Sequence, residues 1–311
     1  MPKLPRVIIL AIAFSLSACG SSDEAGSGDK SASTDTSKSV PASRDSRKDA
    51  AKINCDDLKK ANGKKDIVGL KLGMSFDQAR AVMMCAGQNL AFEYGKVWHV
   101  KNTQGIDTRQ LARVTNGVLC QGRELLYSSE CLDFRISGFQ PRKEATHEIY
   151  VAFNGLPGKE KVGAVWRTLK YKEGKRPPTE NVVNALKAKY GKPNFTKHSG
   201  RREQLLGWVL DKRGRPMSPK RPGFHTCSQG VEPRFQGNHS WSAACGFGLT
   251  ASITPNYSNP LVVDEISVSM MDQGAFIKET KSFKAALAKK AKADKQAELD
   301  AARKNSPDVD L

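Results

Sequence analysis

The sequence predicts an α+β fold in which helices pack on one face of an antiparallel meander sheet. Three observations support this prediction. Two capped amphipathic helices lie about a hundred residues apart, segments of alternating apolar and polar residues follow each of them, and six cysteines occupy the same region. A helix followed by strands occurs twice along the chain. This repetition is compatible with two tandem units of that kind, cross-linked by disulfide bonds.

The first eighteen residues have the organisation of a secretory signal peptide. Lys3 and Arg6 precede an apolar run ending at Phe14, which is shorter than the roughly 20 residues that span a bilayer. The segment Leu16-Ser17-Ala18-Cys19 then resembles the bacterial lipoprotein signal, in which cleavage occurs before a cysteine that carries diacylglycerol. The alternative is an ordinary signal peptide followed by a chance cysteine.

This resemblance implies a mature chain that begins at a lipidated Cys19 and is anchored by several acyl chains. Gly20 follows the cysteine. In the family an aspartate there retains the protein at the inner membrane, so glycine implies the outer membrane, facing the periplasm. Residues 19–52 are mostly polar and small, which predicts a flexible tether.

The predicted organisation has four parts. They are a signal peptide (1–18), a lipidated cysteine with its tether (19–52), an α+β domain (53–275) that allows sub-units 53–155 and 156–275, and a C-terminal helix and tail (276–311).

Six cysteines remain when Cys19 is set aside, and an even number in an exported chain indicates three disulfides. Six cysteines allow fifteen pairings. We predict the sequential one, in which each bond closes a local loop: Cys55–Cys85, Cys120–Cys131 and Cys227–Cys245. The alternative is a metal site, because His225 and His239 lie near the last two cysteines.

Four helices are predicted. The first spans 53–62 and ends at Asn62-Gly63. The second follows Ser75, an N-cap with Gln78 in the first turn. Thr179 is the expected cap of the third, which stops at Gly191-Lys192-Pro193, and the last spans 276–304. The predicted strands are Phe92–Val100, Phe134–Phe139, Glu148–Phe153, Val162–Tyr171, Leu205–Asp211, Gly246–Thr254 and Leu261–Met271, with a hairpin loop at 154–158.

Two short motifs resemble a known family. Gly73-Met74-Ser75, with Asp77 two residues on, and Tyr190-Gly191-Lys192-Pro193 are similar to the start and end of the helical unit of the SmpA/OmlA (BamE-like) outer-membrane lipoproteins. The β-lactamase-inhibitor-protein-like group shares that fold in tandem. The resemblance implies helices on an antiparallel sheet, and protein-binding roles such as assembly factor or inhibitor.

The chain has a formal charge of +18, and loss of the leader with Lys3 and Arg6 leaves +16. Eighteen Lys or Arg residues and five acids lie between Lys159 and Arg221. Such an excess favours polyanionic surroundings, although a solvated basic face is the alternative. Nucleic acid is disfavoured by the compartment. The candidate contact residues are expected to converge on one rim of the sheet: Arg201, Arg202, Lys212, Arg213 and Arg215.

The sequence contains no Gly-x-Ser-x-Gly elbow, no His-Glu-x-x-His pair and no phosphate-binding glycine motif. We therefore predict a non-catalytic protein without cofactor or metal. The expected function is a membrane-anchored binding or assembly module in the bacterial envelope that contacts anionic glycan, lipopolysaccharide or a protein through the basic rim. The alternative is a tethered inhibitor-like domain that blocks a hydrolase or toxin.

Overall fold

One eight-stranded antiparallel sheet forms the centre of the fold. The structure is a computed structural model that describes Cys55 and residues 65–132, 138–198, 203–235 and 240–305. A small sheet of two short strands accompanies the large one. The strands are β1 (Ala91–Gly95), β2 (Leu111–Thr115), β3 (Val118–Leu119), β4 (Arg142–Lys143), β5 (His147–Asn154), β6 (Lys161–Lys170), β7 (Phe195–His198), β8 (Gln204–Asp211), β9 (Cys245–Pro255) and β10 (Val263–Asp272).

Helices flank this sheet, so the predicted α+β class is confirmed. The helices within the described residues are α1 (Phe76–Met84), α2 (Glu124–Tyr127), α3 (Ser129–Leu132), α4 (Thr179–Tyr190), α5 (Phe224–Gln229) and α6 (Gln273–Asn305).

The strand order of the large sheet is β1-β2-β5-β6-β10-β9-β8-β7. After α1 the chain forms strands from the edge strand β1 inward to β6. After α4 it forms strands from the other edge strand, β7, inward to β10. These two inner strands pair antiparallel, from Ala164 opposite Met271 to Lys170 opposite Glu265. The two halves of the chain therefore share one continuous sheet.

Helices α1 and α4 lie on the same sheet face. The Ser75 hydroxyl accepts the Gln78 amide at 3.3 Å, and the Gln78 side chain accepts the Ser75 amide at 3.0 Å, which confirms the predicted capping box. Helix α4 has Pro178 at its N-cap instead of the predicted Thr179. The Thr179 hydroxyl donates to the Pro260 carbonyl at 3.0 Å, so it binds a loop and leaves the helix end uncapped.

The prediction that the helices share one face is wrong for α6, which begins on the opposite face. Phe276 packs there against Trp241 and against β6, where a Cβ atom on Gly163 would lie 2.3 Å from its ring. Asn154 joins the helix to the sheet because its side-chain oxygen accepts from Thr280 at 3.1 Å and lies 2.7 Å from His99 Nε2. Trp98 and Trp166 complete this second core.

A buried ionic network connects the edge strands β1 and β2. Glu93 on β1 lies opposite Arg113 on β2. Its two carboxylate oxygens contact Arg113 Nη2 at 2.5 Å and Arg142 Nε at 2.8 Å, and all three residues are buried. One carboxylate thus compensates two guanidinium groups, and Arg142 also donates to the Gly117 carbonyl at 3.0 Å.

The three predicted disulfides are confirmed as Cys55–Cys85, Cys120–Cys131 and Cys227–Cys245. The last bond uses both sulfur atoms of the metal site considered as an alternative, so these cysteines supply no thiolate ligands.

Other differences concern element bounds. Four strands (β2, β3, β4 and β7) and three short helices (α2, α3 and α5) were not predicted from the sequence, and α6 begins at Gln273 instead of 276. The predicted strand 134–139 and helix 53–62 lie largely outside the described residues, apart from Gly138, Phe139 and a helical Cys55.

Candidate functional site

The candidate site is a turn at the end of β8, which we call the basic hairpin (residues 211–221). The Asp211 amide donates to the Arg215 carbonyl at 2.9 Å, and the Gly214 amide donates back to the Asp211 carbonyl at 2.8 Å. Gly214 has a positive φ of 76°, which glycine adopts without strain. Tight closure of this turn exposes the side chains of Lys212, Arg213 and Arg215.

Asp211 is buried at the base of the hairpin. One carboxylate oxygen accepts the backbone amides of Arg213 at 2.9 Å and Arg215 at 3.0 Å. The other accepts Arg215 Nε at 2.9 Å and Arg221 Nη1 at 3.1 Å. These contacts, above all the Arg215 amide, hold the pKa of Asp211 well below its ordinary value. The carboxylate therefore stays ionised at neutral pH and orients two arginines.

Lys212 and Arg213 differ from those two arginines. Both side chains are exposed, and neither has a carboxylate partner among the described residues. With Lys220 and Arg221 the hairpin contains five cations and only one acid. Guanidinium and ammonium groups in this arrangement can donate to phosphate or carboxylate oxygens.

The hairpin is supported by packing and by the third disulfide. Asn194 donates to the carbonyls of Val209 at 2.7 Å and Met217 at 2.8 Å, which ties together the two arms of the turn. Cys227 on α5 bonds to Cys245, which pairs with Asp211 on the neighbouring strand. A cleft of about 360 Å³ lies beside the turn, and the disulfide and Arg221 help to line it.

The structure brings together three of the five predicted contact residues, Lys212, Arg213 and Arg215. Arg201 and Arg202 lie outside the described residues, as does Cys19. The two ends of β8 are about 23 Å apart at about 3.3 Å per residue, so the three described candidates occupy one end of this strand only. The role of Asp211 was not predicted from the sequence, although an Asp before a Gly-containing turn is a known signal.

Comparisons with protein-family models, with curated proteins and with solved structures found no match. Among the helices of the described ranges, none combines the length and the apolar composition needed to cross a membrane.

Proposed function

We propose that this chain is a lipid-anchored binding module of the bacterial envelope and that its basic hairpin binds the phosphate groups of an anionic glycan. The observation that carries the proposal is the hairpin itself, where exposed Lys212 and Arg213 lack carboxylate partners in the described chain and a buried Asp211 fixes their neighbours. The resemblance of Leu16-Ser17-Ala18-Cys19 to the lipoprotein signal supports export and anchoring, and the three disulfides support export.

The experiment measures binding of lipopolysaccharide to the full-length mature lipoprotein in detergent. The double variant Lys212→Gln/Arg213→Gln should bind at least about tenfold more weakly, because hydrogen bonds to charged groups contribute about 1.5–3 kcal/mol each. Lys289→Gln/Lys292→Gln is the matched control, since it removes the same charge from exposed positions on α6. Equal weakening by both pairs would show that only net charge matters and would reject the hairpin as the site.

The anchor is tested separately. Cys19→Ala should shift the protein from the detergent-extracted membrane fraction to the soluble periplasmic fraction, because the acyl chains would be lost. Retention of the variant in the membrane fraction would contradict lipidation at this cysteine.

A second proposal is a tethered inhibitor-like domain made of two tandem units. The strand order supports duplication of one structural unit, since each of α1 and α4 precedes a four-stranded meander. It favours a boundary between the two units after β6 instead of at residue 155. Because Phe276 of α6 covers part of the other sheet face, a bound enzyme would have less of that face to contact. Co-purification separates the two proposals: envelope glycan favours the first, and a secreted foreign hydrolase or toxin favours the second.

A further inference from the structure

A second cleft, which we call the central cleft, lies between α4 and the turn 67–70, above the middle of the sheet. Its volume is about 380 Å³, at the lower end of the range for small-molecule sites. Strands β6 and β10 form its floor, which includes Arg167 and Val268. Most of the wall is apolar, with contributions from Ile67, Val68, Leu169, Val182, Leu186 and Ile266.

Arg167 is the unusual residue of this cleft. Its cross-strand neighbours are Ile149 on β5 and Val268 on β10, and both belong to the buried core. The guanidinium has no carboxylate partner among the described residues, and burial lowers its pKa. Arginine nevertheless stays protonated in proteins, so the floor of an apolar cleft contains a positive charge for which the described residues supply no counter-anion.

His147 positions this guanidinium without neutralising it. Arg167 Nε donates to His147 Nε2 at 3.2 Å, which requires that nitrogen to be unprotonated. Burial, and then the charge of Arg167, lower the pKa of His147 to about 4, so the ring is neutral at pH 7. The two Nη groups have no hydrogen-bond partner in the described chain and belong to a side chain that is partly exposed in the cleft.

Two polar residues at the rim, Lys189 and Tyr190, already have partners. Lys189 Nζ contacts the Asp66 carboxylate at 3.0 Å, and the Tyr190 hydroxyl donates to the Asp66 carbonyl at 3.0 Å. Arg167 is therefore the cation that this cleft offers to a ligand.

We propose that the central cleft binds a small amphipathic monoanion, an aliphatic carboxylate of medium chain length. Its carboxylate would accept two hydrogen bonds from Arg167, and its chain would lie along Ile67, Leu186 and Ile266. Bidentate geometry suits a planar carboxylate, and the apolar wall accounts for the chain. This site is separate from the basic hairpin and does not depend on the function proposed for it.

The test is calorimetric titration of decanoate into the mature lipoprotein at neutral pH. Decanol, which has the same chain without the charge, should bind at least about tenfold more weakly than decanoate. Arg167→Gln should weaken decanoate binding by about 10- to 100-fold and leave decanol binding unchanged, because a charged hydrogen-bonding group is lost.

Two further variants test whether decanoate binds in the central cleft and not at the basic hairpin. Ala185→Phe, at an exposed position of α4 that lines the cleft, should block decanoate without disturbing the core. Arg213→Gln on the hairpin should leave decanoate binding within about twofold of the wild type. The proposal is overturned if the wild type does not bind decanoate, if Arg167→Gln binds it equally well, or if Ala185→Phe folds normally and still binds it.

Discussion

The basic hairpin and the central cleft both contain positive charge, but they hold it in opposite ways. The hairpin exposes five cations on one turn, two of which are tied to Asp211. The cleft contains one guanidinium, Arg167, between apolar walls and beside a neutral histidine. Water and salt screen the hairpin charges, whereas the cleft charge acts in a medium of lower dielectric constant.

The two regions therefore suit different classes of ligand. Several exposed charges attract an extended polyanion and lose affinity as salt is added. A single partly buried charge recognises one anionic group and an attached apolar body. Raising NaCl from about 50 mM to about 500 mM should therefore weaken lipopolysaccharide binding much more than decanoate binding.

Folding stability should distinguish buried cations that have a carboxylate partner from Arg167 most strongly. Glu93→Ala should lower the free energy of unfolding by about 3–5 kcal/mol, because it leaves Arg113 and Arg142 buried without their carboxylate. Arg167→Met should cost less than about 1 kcal/mol or stabilise the fold. Urea denaturation measures both. If Arg167→Met costs as much as Glu93→Ala, an anion of the protein itself neutralises Arg167.

The next effect separates the hairpin from the cleft. Cys227→Ser/Cys245→Ser should cost about 3 kcal/mol through the lost loop constraint, weaken lipopolysaccharide binding and preserve decanoate binding. The control Cys120→Ser/Cys131→Ser removes a bond that closes a shorter loop. It should lower the denaturation midpoint but not lipopolysaccharide affinity; equal loss of affinity in both double variants would refute hairpin support by the disulfide.

As the pH is lowered, the stability contributed by His147 beside the cleft should be lost before that contributed by Asp211 in the hairpin. Burial lowers the pKa of His147 to about 4 from an ordinary 6.5, so the folded state favours the neutral ring. The associated stability is present above pH 6.5 and is lost as the pH falls towards 4, by about 2 kcal/mol between pH 6.5 and 4.5. His99, with its pKa also lowered to about 4 by burial, should contribute similarly.

His147 and His99 together make the fold less stable as the pH falls from about 6.5 to about 4.5. The His147→Gln variant should lose about half of this combined pH dependence in thermal denaturation. Asp211 responds in a different range. Its pKa is lowered, so its contribution is present above pH 3.8 and decreases only below that value. An unchanged pH dependence in His147→Gln would mean that this ring is not held neutral by burial.

The smallest expected effect is at Val68, a β-branched residue with φ of +50° that lines the cleft. Val68→Gly should stabilise the fold by about 0.5–1 kcal/mol, because the left-handed conformation is strained for valine. It should also weaken decanoate binding a few-fold, since an apolar wall is lost. Asn89→Gly is the control, as asparagine tolerates its φ of +55°. A destabilised Val68→Gly would show that no strain is stored there.

The elements that the sequence predicted well depend on local chemistry. The Ser75–Gln78 capping box needs only four residues, and each disulfide closes a short loop. Strands β5, β6, β8, β9 and β10 were visible as alternating or β-branched segments. Their bounds differ from the predicted ones by one or two residues at most positions.

What the sequence did not predict depends on contacts between distant residues. Strand β2 is buried on both faces, and its Arg113 is compensated by Glu93 twenty positions earlier, so it does not alternate as a half-exposed strand does. The central cleft was missed for the same reason. Arg167 looked like one more cation of a basic segment, and only the packing of α4 and the turn 67–70 over β6 and β10 makes it special.

The pairing of β6 with β10 has a mechanical consequence for the whole domain. Their seven facing residue pairs are the seam where the two halves of the chain meet, and the floor of the central cleft is built on that seam. A ligand bound there would contact both halves and oppose their separation. Its removal would make separation of the halves easier without destabilising either half alone. Backbone amides of β6 and β10 should then exchange with solvent more slowly in its presence, ahead of any change at the sheet edges.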